Sequence, residues 1–250
     1  MPRLVILGSA AAVPDAAHEN TYMVLDGDHG AILIDCAGSP IGRLERAGVS
    51  LSSLRSIIIT HIHPDHAYGL PILLMSLWLL GRREPLRIYA PAMVIGRLHT
   101  IMAAYEWGDW PHFYPVDFVE ILPYDEAPVL DDEDFWITAL PCDHFVPTVS
   151  LKVVSKSNGH KLVYTSDTAP LDSLTEFARG ADLLLHEAAG ATRGHSSAGM
   201  AGHTAREANV RKLALIHYQV YADPAILVSE ASLEFDGPIE VAQDFSEYPL

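Results

Sequence analysis

The six-residue segment 61–66, His-Ile-His-Pro-Asp-His, constrains this chain more than any other part of its sequence. It follows the β-branched run 57–60, which predicts a short buried strand. Side chains alternate along an extended chain, so His61 and His63 should project toward one point. Pro64 has no N–H to donate to a strand ladder, so we expect the strand to end there and a helix to follow. One strand end would thus offer two ligands to each of two neighbouring metal ions.

Strand-like and helix-like segments alternate along most of the chain. Apolar runs with strand character occupy eleven segments, namely 4–7, 22–25, 31–35, 56–60, 86–89, 118–122, 135–139, 149–154, 161–165, 182–185 and 213–216. Helical patterns occupy five segments, near 41–47, 70–80, 93–104, 171–178 and 198–208. Glycine and asparagine at 26–30 and 157–159 predict hairpin turns. Hairpins together with strand–helix alternation favour an α/β sandwich of mixed sheets covered by helices.

Composition narrows the range of partners and compartments. The 250 residues, 49% of them hydrophobic, suffice for a substantial core in one large domain or two small ones. A formal net charge of −16 with no basic run makes nucleic acid a poor default partner. Two cysteines, Cys36 and Cys142, are too few for a disulfide framework and fit a reduced, cytoplasmic protein. No apolar run is long enough to span a membrane or to serve as a signal core.

Three further residues are candidates to complete a metal site. His144, Asp167 and His217 each follow an apolar, strand-like run, which is where strands of an α/β fold deliver functional groups. Taken singly, each of these residues is about as well explained as a turn or capping residue. Together with the segment 61–66 they form a ligand set.

The order His-x-His-x-Asp-His, then His, Asp and His, resembles the metallo-β-lactamase superfamily, and further stretches resemble its ribonuclease Z-like branch. These stretches run nearly from end to end of the chain, at 7–14, 33–36, 60–70, 166–168, 184–188, 194–197 and 216–218. The resemblance implies a single hydrolase domain over residues 1–250 with an αββα fold, two mixed β-sheets flanked by helices. It also implies a metal-dependent hydrolase.

Residue by residue, the resemblance implies two metal sites with a shared ligand. His61, His63 and His144 would hold one metal; Asp65, His66 and His217 would hold the other; Asp167 would bridge them. With nitrogen and oxygen ligands only, the expected cofactors are two Zn²⁺ per chain, with Mn²⁺ or Fe²⁺ as alternatives.

The resemblance also implies roles for residues around the metals. Asp35 would orient a ligand histidine, although a turn residue explains it nearly as well. Glu187 and His195 would form the pair that protonates the leaving group, and Asp65 would also take or steer the proton of the attacking water. His195 lies next to serines that are typical of a helix start, so a structural role is compatible with the catalytic one.

The chain departs from ribonuclease Z in the part that grips tRNA. Only 22 residues separate His144 from Asp167, which leaves no room for the glycine- and proline-rich arm of that family. We therefore expect a phosphodiesterase acting on a small phosphodiester through a metal-bridged hydroxide. The alternatives are a lactone, carboxylic, thio- or sulfate-ester hydrolase, a ribonuclease Z-type tRNA 3′ endonuclease, and a non-catalytic metal-stabilised binding protein. A redox diiron centre is disfavoured by His63, where its relatives usually carry glutamate.

Oligomeric state and one aromatic segment stay open at this stage. Related enzymes are often dimers, so the resemblance suggests a homodimer that acts on a small-molecule ester, away from membranes. The segment 105–115 holds two tryptophans, a phenylalanine and two tyrosines. It is explained equally by a plug under a surface loop, by a lid and by a subunit contact.

Overall fold

A computed structural model describes all 250 residues. The first half of the chain, together with the C-terminal strand, forms one seven-stranded sheet. Its spatial order is β14-β1-β2-β3-β4-β5-β6, with β3 to β6 parallel to one another. The strands are β1 (Arg3–Gly8), β2 (Tyr22–Asp26), β3 (Ala31–Ile34), β4 (Leu54–Ile58), β5 (Leu86–Pro91), β6 (Val116–Ile121) and the C-terminal β14 (Glu247–Pro249). The predicted hairpin at 26–30 joins β2 to β3, which pair antiparallel.

The second half forms another seven-stranded sheet, with strict sequence order β13-β12-β11-β10-β9-β8-β7. Its strands are β7 (Ala127–Asp131), β8 (Phe135–Pro141), β9 (Val149–Ser155), β10 (Lys161–Tyr164), β11 (Leu183–Ala188), β12 (Leu213–Tyr218) and β13 (Ile239–Val241). Strands β10 to β13 are parallel, and the predicted hairpin at 157–159 joins the antiparallel pair β9 and β10.

Helices cover the outer face of each sheet, which gives the expected αββα sandwich. They are α1 (Pro40–Arg46), α2 (Pro64–Ala67), α3 (Leu70–Leu79), α4 (Ala92–Ala104), α5 (Asp172–Phe177), α6 (Ala198–Glu207) and α7 (Pro224–Ser232). One apolar cluster of 25 buried residues lies between the sheets, and clusters of 26 and 19 lie under the two helical layers. None of these helices combines the length and apolarity needed to cross a membrane.

The aromatic segment 105–115 packs onto the helical layer of the first sheet. Trp110 stacks on Trp78 with ring centroids 5.2 Å apart, and the Trp78 indole N–H donates to the carbonyl of Pro111. Tyr114 is buried, and its hydroxyl donates to the carbonyl of Leu74 in α3. These contacts within the chain are those of an aromatic plug.

The topology brings the polar ends of both sheets to one edge of the sandwich. Parallel strands of a sheet present their carboxyl ends together, and in α/β folds those ends carry functional groups. In the first sheet β3 and β4 end just before Asp35 and the segment 61–66. In the second sheet β8, β10 and β12 end at or just before His144, Asp167 and His217. Two backbone hydrogen bonds, Val149 N to Thr60 O and His217 N to Ser9 O, tie the sheets together here.

Candidate metal centre

Three imidazoles and one carboxylate converge from both sheets into a first group of potential ligands. His61, His63, His144 and Asp167 each place one donor atom within 4.8 Å of the others. His63 Nδ1 lies 3.0 Å from His144 Nε2, and His61 Nε2 lies 3.7 Å from Asp167 Oδ2. Donor atoms that meet at such a point, all nitrogen or oxygen, form a set suited to a divalent transition metal.

A second group lies beside the first. Asp65, His66 and His217 also place donor atoms within 4.8 Å of one another. His66 Nε2 is 3.3 Å from His217 Nε2, which in turn is 3.4 Å from Asp65 Oδ2. The structure therefore brings together all seven residues that the sequence singled out as ligands.

Asp167 lies between the two groups, with one oxygen facing each. Its Oδ2 is 3.8 Å from His144 Nε2 on the side of the first group. Its Oδ1 is 3.4 Å from His66 Nε2 and 3.5 Å from His217 Nε2 on the side of the second. Burial opposes ionisation of Asp167, but the neighbouring imidazoles outweigh it and hold the pKa of the carboxyl well below its usual range. This is the arrangement of a carboxylate that can bridge two cations.

Two atoms that face the other ligands are buried and have no hydrogen-bond partner, which tests whether the residues fit a metal. They are His61 Nε2 and Asp167 Oδ1; a third unpaired atom, His217 Nδ1, belongs to a ring whose Nε2 faces the ligands. Leaving a buried polar atom unpaired costs about 1–3 kcal/mol, so such atoms call for a ligand. Burial also lowers the pKa of His61 well below its ordinary value, which keeps the imidazole neutral and able to donate a lone pair. The donor set and its unpaired atoms fit a divalent cation.

Hydrogen bonds behind the histidines fix which ring nitrogen faces the centre. His66 Nδ1–H donates to Asp35 Oδ2 at 2.9 Å, and His144 Nδ1–H donates to the carbonyl of Gly194 at 2.7 Å. Each bond leaves the Nε2 lone pair of its ring free to bind a cation. Asp35 is fully buried and also accepts hydrogen bonds from the backbone N–H and the hydroxyl of Thr60. Its contact with His66 is the one expected of an orienting residue.

The backbone adopts an uncommon conformation at three points around the centre. Asp35, Ser166 and His217 have φ values of 59°, 52° and 51°, in the left-handed region that non-glycine residues rarely occupy. Each lies at the end of a strand, where the turn aims a polar side chain inward. Strain of this kind persists only where surrounding contacts hold it, and it concentrates at functional sites.

A histidine–glutamate pair lies at the edge of the centre. His195 Nδ1–H donates to Glu187 Oε1 at 3.0 Å, and the same oxygen accepts from the backbone N–H of Ser196. Burial disfavours the charged imidazole, but the hydrogen bond and charge of Glu187 outweigh this and raise the pKa of His195. His195 also lies within 4.8 Å, donor to donor, of Asp167 and His217. The predicted helix start is present too, since the Ser197 hydroxyl caps α6.

Several residues that shape this centre were not assigned a role from the sequence. Thr60 and Gly194 hold ligand histidines through a hydroxyl and a backbone carbonyl, and both lie in stretches that carry the resemblance without being named there as functional. Ser166 bonds Thr60 across the two sheets at 2.9 Å. Such contacts depend on tertiary geometry, so residue types alone do not reveal them.

Comparison with known proteins identifies relatives along nearly the whole chain. The family described as "Beta-lactamase superfamily domain" matches residues 31–218. Ribonuclease BN of Enterobacter sp. (strain 638) is 30% identical, with 98% of each chain covered. Ribonuclease Z of Methanosarcina acetivorans is 25% identical, with 100% of this chain and 98% of that relative covered. The alignment with ribonuclease BN spans 307 positions, so at least 57 residues of that relative lie opposite gaps in these 250 residues.

Solved structures share the fold. The metallo-beta-lactamase fold protein YhfI from Bacillus subtilis superposes with a TM-score of 0.85 at 23% identity, covering 99% of this chain and 98% of that one. The short form of human tRNase Z superposes with a TM-score of 0.79 at 24% identity, with the same coverage.

Proposed function

The chain belongs to the β-lactamase superfamily, in its ribonuclease Z-like branch, as a metal-dependent hydrolase, and from this premise we propose that it hydrolyses a small phosphodiester at two metal ions. The observation that carries the proposal is Asp167, whose two oxygens face separate groups of ligand atoms. A carboxylate so placed is suited to two cations, and paired cations are typical of phosphoester hydrolysis.

In this proposal one metal would be held by His61, His63 and His144, and the other by Asp65, His66 and His217. Asp167 would be a ligand shared by the two sites. The set contains no thiolate, which favours Zn²⁺ over softer metals, with Mn²⁺ or Fe²⁺ as alternatives. When bound, the ions supply Lewis acidity that activates a water molecule and polarises a phosphoryl oxygen.

The side chains around the ions take a proton from the attacking water and give one to the leaving group. Asp65 takes or steers the proton of the attacking water from its place beside His217. His195 donates the proton that the leaving alkoxide needs, because Glu187 holds its Nδ1–H and thereby directs Nε2 toward the centre. The Glu187 oxygens are themselves fixed by the backbone N–H groups of Ser196 and Ala189, so the pair is preorganised.

A small substrate fits this chain better than tRNA, although both named relatives are ribonucleases. At least 57 residues of ribonuclease BN have no counterpart here, and the segment from His144 to Asp167 is filled by β9, β10 and their hairpin. A net charge of −16 opposes binding of a long polyanion, since phosphate contacts supply most of the affinity for nucleic acid. The second candidate, a tRNA 3′ endonuclease, is favoured by the relatives alone.

The proposal is tested by measuring the rates at which protein of known metal content hydrolyses four substrates. Bis(p-nitrophenyl) phosphate should be hydrolysed, whereas an aliphatic lactone, a p-nitrophenyl carboxylic ester and a precursor tRNA should react slowly or not at all. His63→Ala should lose one metal and nearly all diesterase activity. His195→Ala should keep both metals and should slow a diester with an alkoxide leaving group by roughly 10²–10⁴-fold, but slow bis(p-nitrophenyl) phosphate much less, because nitrophenolate leaves with little need of a proton.

A matched control is His112→Ala, which removes an exposed histidine outside both ligand groups and should leave activity unchanged. Turnover of the lactone or carboxylic ester alone would overturn the substrate class while keeping the metal centre. Cleavage of precursor tRNA at a rate above that of the diester would favour the endonuclease. Failure of carefully prepared protein to bind metal would exclude the hydrolytic mechanism as a whole.

A further inference from the structure

An exposed phenylalanine lies directly beside two imidazoles of the centre. Phe145 follows His144, and 57% of the residue's surface is exposed to solvent. Its ring centroid lies 5.3 Å from that of His144 and 6.4 Å from that of His195. The ring belongs to none of the three apolar clusters, so core packing does not explain it. A large aromatic face beside a reactive centre is available to a ligand.

An arginine lies against the same ring. The guanidinium carbon of Arg193 is 5.6 Å from the centroid of Phe145, a distance at which a cation is attracted to an aromatic face. Arg193 forms no ion pair, although the chain has twice as many acidic as basic residues. No other lysine or arginine lies within four residues in sequence of a ligand or of the His195–Glu187 pair. Arg193 is therefore a cation available to an anionic group at this centre.

The loop that carries Arg193 is closed by its own backbone hydrogen bonds. The N–H of Gly190 donates to the carbonyl of Ser196 at 3.0 Å, and that of His195 donates to the carbonyl of Thr192 at 3.1 Å. Gly194 has a φ of 73°, and an added Cβ would lie 3.0 Å from His144 Nδ1 and 3.4 Å from the Phe145 ring. Only glycine lets the loop approach this closely. The ring and the guanidinium are thus placed together by a compact loop.

We infer that Phe145 and Arg193, which we call the entrance pair, bind an aromatic ring of the substrate and the anionic group attached to it. This inference rests on the proposed function and names a substrate class within it, an aryl-bearing phosphoester in preference to an alkyl one. The substrate ring stacks on the free face of Phe145, and the guanidinium of Arg193 contacts a phosphoryl oxygen. The bound ring would then lie near His195, whose own ring centroid is 6.4 Å from that of Phe145.

Binding of two small probes to zinc-loaded protein, measured by calorimetry, tests the entrance pair without requiring turnover. Phenylphosphonate and methylphosphonate carry the same anionic group and differ in the ring. The wild type should bind phenylphosphonate more tightly. Phe145→Ala should raise its Kd roughly fivefold to tenfold, the lower end of the range for loss of one stacking contact, and change the Kd of methylphosphonate less than about twofold.

Further variants separate the ring from the charge. Phe145→Tyr keeps an aromatic face and should retain the preference for the phenyl probe. Arg193→Gln should weaken both probes by a similar factor, roughly threefold, and reduce the dependence of Kd on salt. Trp136→Ala and Arg97→Gln are matched controls, because they remove an exposed aromatic and an exposed arginine outside the metal centre and should change neither Kd.

Equal Kd values for the two probes in the wild type, or an unchanged ratio in Phe145→Ala with its zinc content intact, would overturn the inference. Failure of the zinc-loaded wild type to bind either probe would overturn it as well. The diesterase assay is a separate measurement. A protein that prefers the phenyl probe but does not hydrolyse diesters would support the entrance pair and refute the proposed reaction. A protein that hydrolyses diesters but does not prefer the phenyl probe would support the reaction and refute the entrance pair.

Discussion

Replacing Asp35 by asparagine should weaken one metal site far more than the other. The carboxylate is fully buried, and its Oδ2 accepts a hydrogen bond from His66 Nδ1–H at 2.9 Å. Its Oδ1 accepts from the backbone N–H of Thr60 at 2.8 Å. In Asp35→Asn the amide oxygen can keep the bond to Thr60, so its NH₂ group must face His66. That group donates to Nδ1, which moves the ring proton to Nε2 and blocks the lone pair that would bind the metal.

The magnitude follows from the position of Asp35 behind a ligand. Loss of an orienting partner typically costs 10- to 100-fold in metal affinity, or about 1.4–2.8 kcal/mol. That loss should fall on the site formed by Asp65, His66 and His217. The first site should weaken only about threefold, because Asp35 reaches it indirectly, through Thr60 and the hydroxyl contact of that residue with His61 Nδ1 at 3.1 Å.

Zinc titration against a chromophoric chelator resolves the two sites and measures both affinities. Tyr164→Phe is the matched control, since the tyrosine hydroxyl lies 3.5 Å from Asp35 Oδ2 and contributes at most a weak hydrogen bond. Two sites of wild-type affinity in Asp35→Asn would refute the argument that this carboxylate selects the tautomer of His66. Equal weakening of both sites would refute the assignment of Asp35 to only one of them.

Three further predictions concern proton transfer, packing and acid stability. Against the opposing effect of burial, Glu187 raises the pKa of His195 above its ordinary value of 6.5, and a rate that needs protonated His195 falls as pH rises through that pKa. Glu187→Gln should therefore move the falling limb of the pH–rate profile to lower pH. A limb that does not move would exclude the His195–Glu187 pair from proton donation. Gly202→Ala should destabilise the fold by about 1–3 kcal/mol in urea titrations, because the added Cβ would lie 2.4 Å from a backbone oxygen of α7. Gly199→Ala in the same helix is the control: its Cβ would meet no atom closer than 3.7 Å, so it should stabilise the fold by about 0.5–1 kcal/mol. Burial opposes ionisation of Asp134, but hydrogen bonds from His29 outweigh it and lower the pKa of the carboxyl. The ionised carboxylate therefore stabilises the fold above the ordinary pKa of 3.8, and this stabilisation is lost as pH falls through the lowered pKa. Asp134→Asn should reduce the free energy of unfolding by about 1–3 kcal/mol at pH 7, and by progressively less in unfolding curves measured at acid pH.

Much of the fold was predictable from local sequence, and the elements that the prediction missed were missed for physical reasons. Continuous apolar runs, as in β3 and the first four residues of β12, identify strands buried on both faces. The prediction missed β7, where Pro128 interrupts the apolar alternation and the register shifts between Pro128 and Leu130. It also missed β13 and β14, which have three residues each and are defined only by the strand they pair with. Helix α7, which begins at Pro224, was missed as well, although proline is favoured at a first helical position.

The candidate metal centre was predictable in its residue types but not in its geometry. The segment 61–66 is a local cluster, whereas His144, Asp167 and His217 were candidates because each follows a strand-like run, and the resemblance assigned them to the two metal sites. The sequence could not show that the two oxygens of Asp167 face different ligand groups, since this depends on how the sheets pack. It likewise could not show that Phe145 is exposed beside His195, because a phenylalanine in a sequence is as readily explained by the core.

The two sheets contribute different ligands, and this ties the metal centre to the packing of the sandwich. Four ligand candidates follow β4 of the first sheet, in the segment that leads into α2 and in α2 itself: His61, His63, Asp65 and His66. The other three come from the ends of strands in the second sheet. A cation in either group would therefore bind both sheets at once, and binding to the folded form alone adds to its stability. Without a cation the same edge holds unpaired buried atoms and three residues of positive φ. The interior of the sandwich must stabilise this unfavourable edge, and the 25-residue cluster between the sheets provides the apolar contact that keeps the ligands in place.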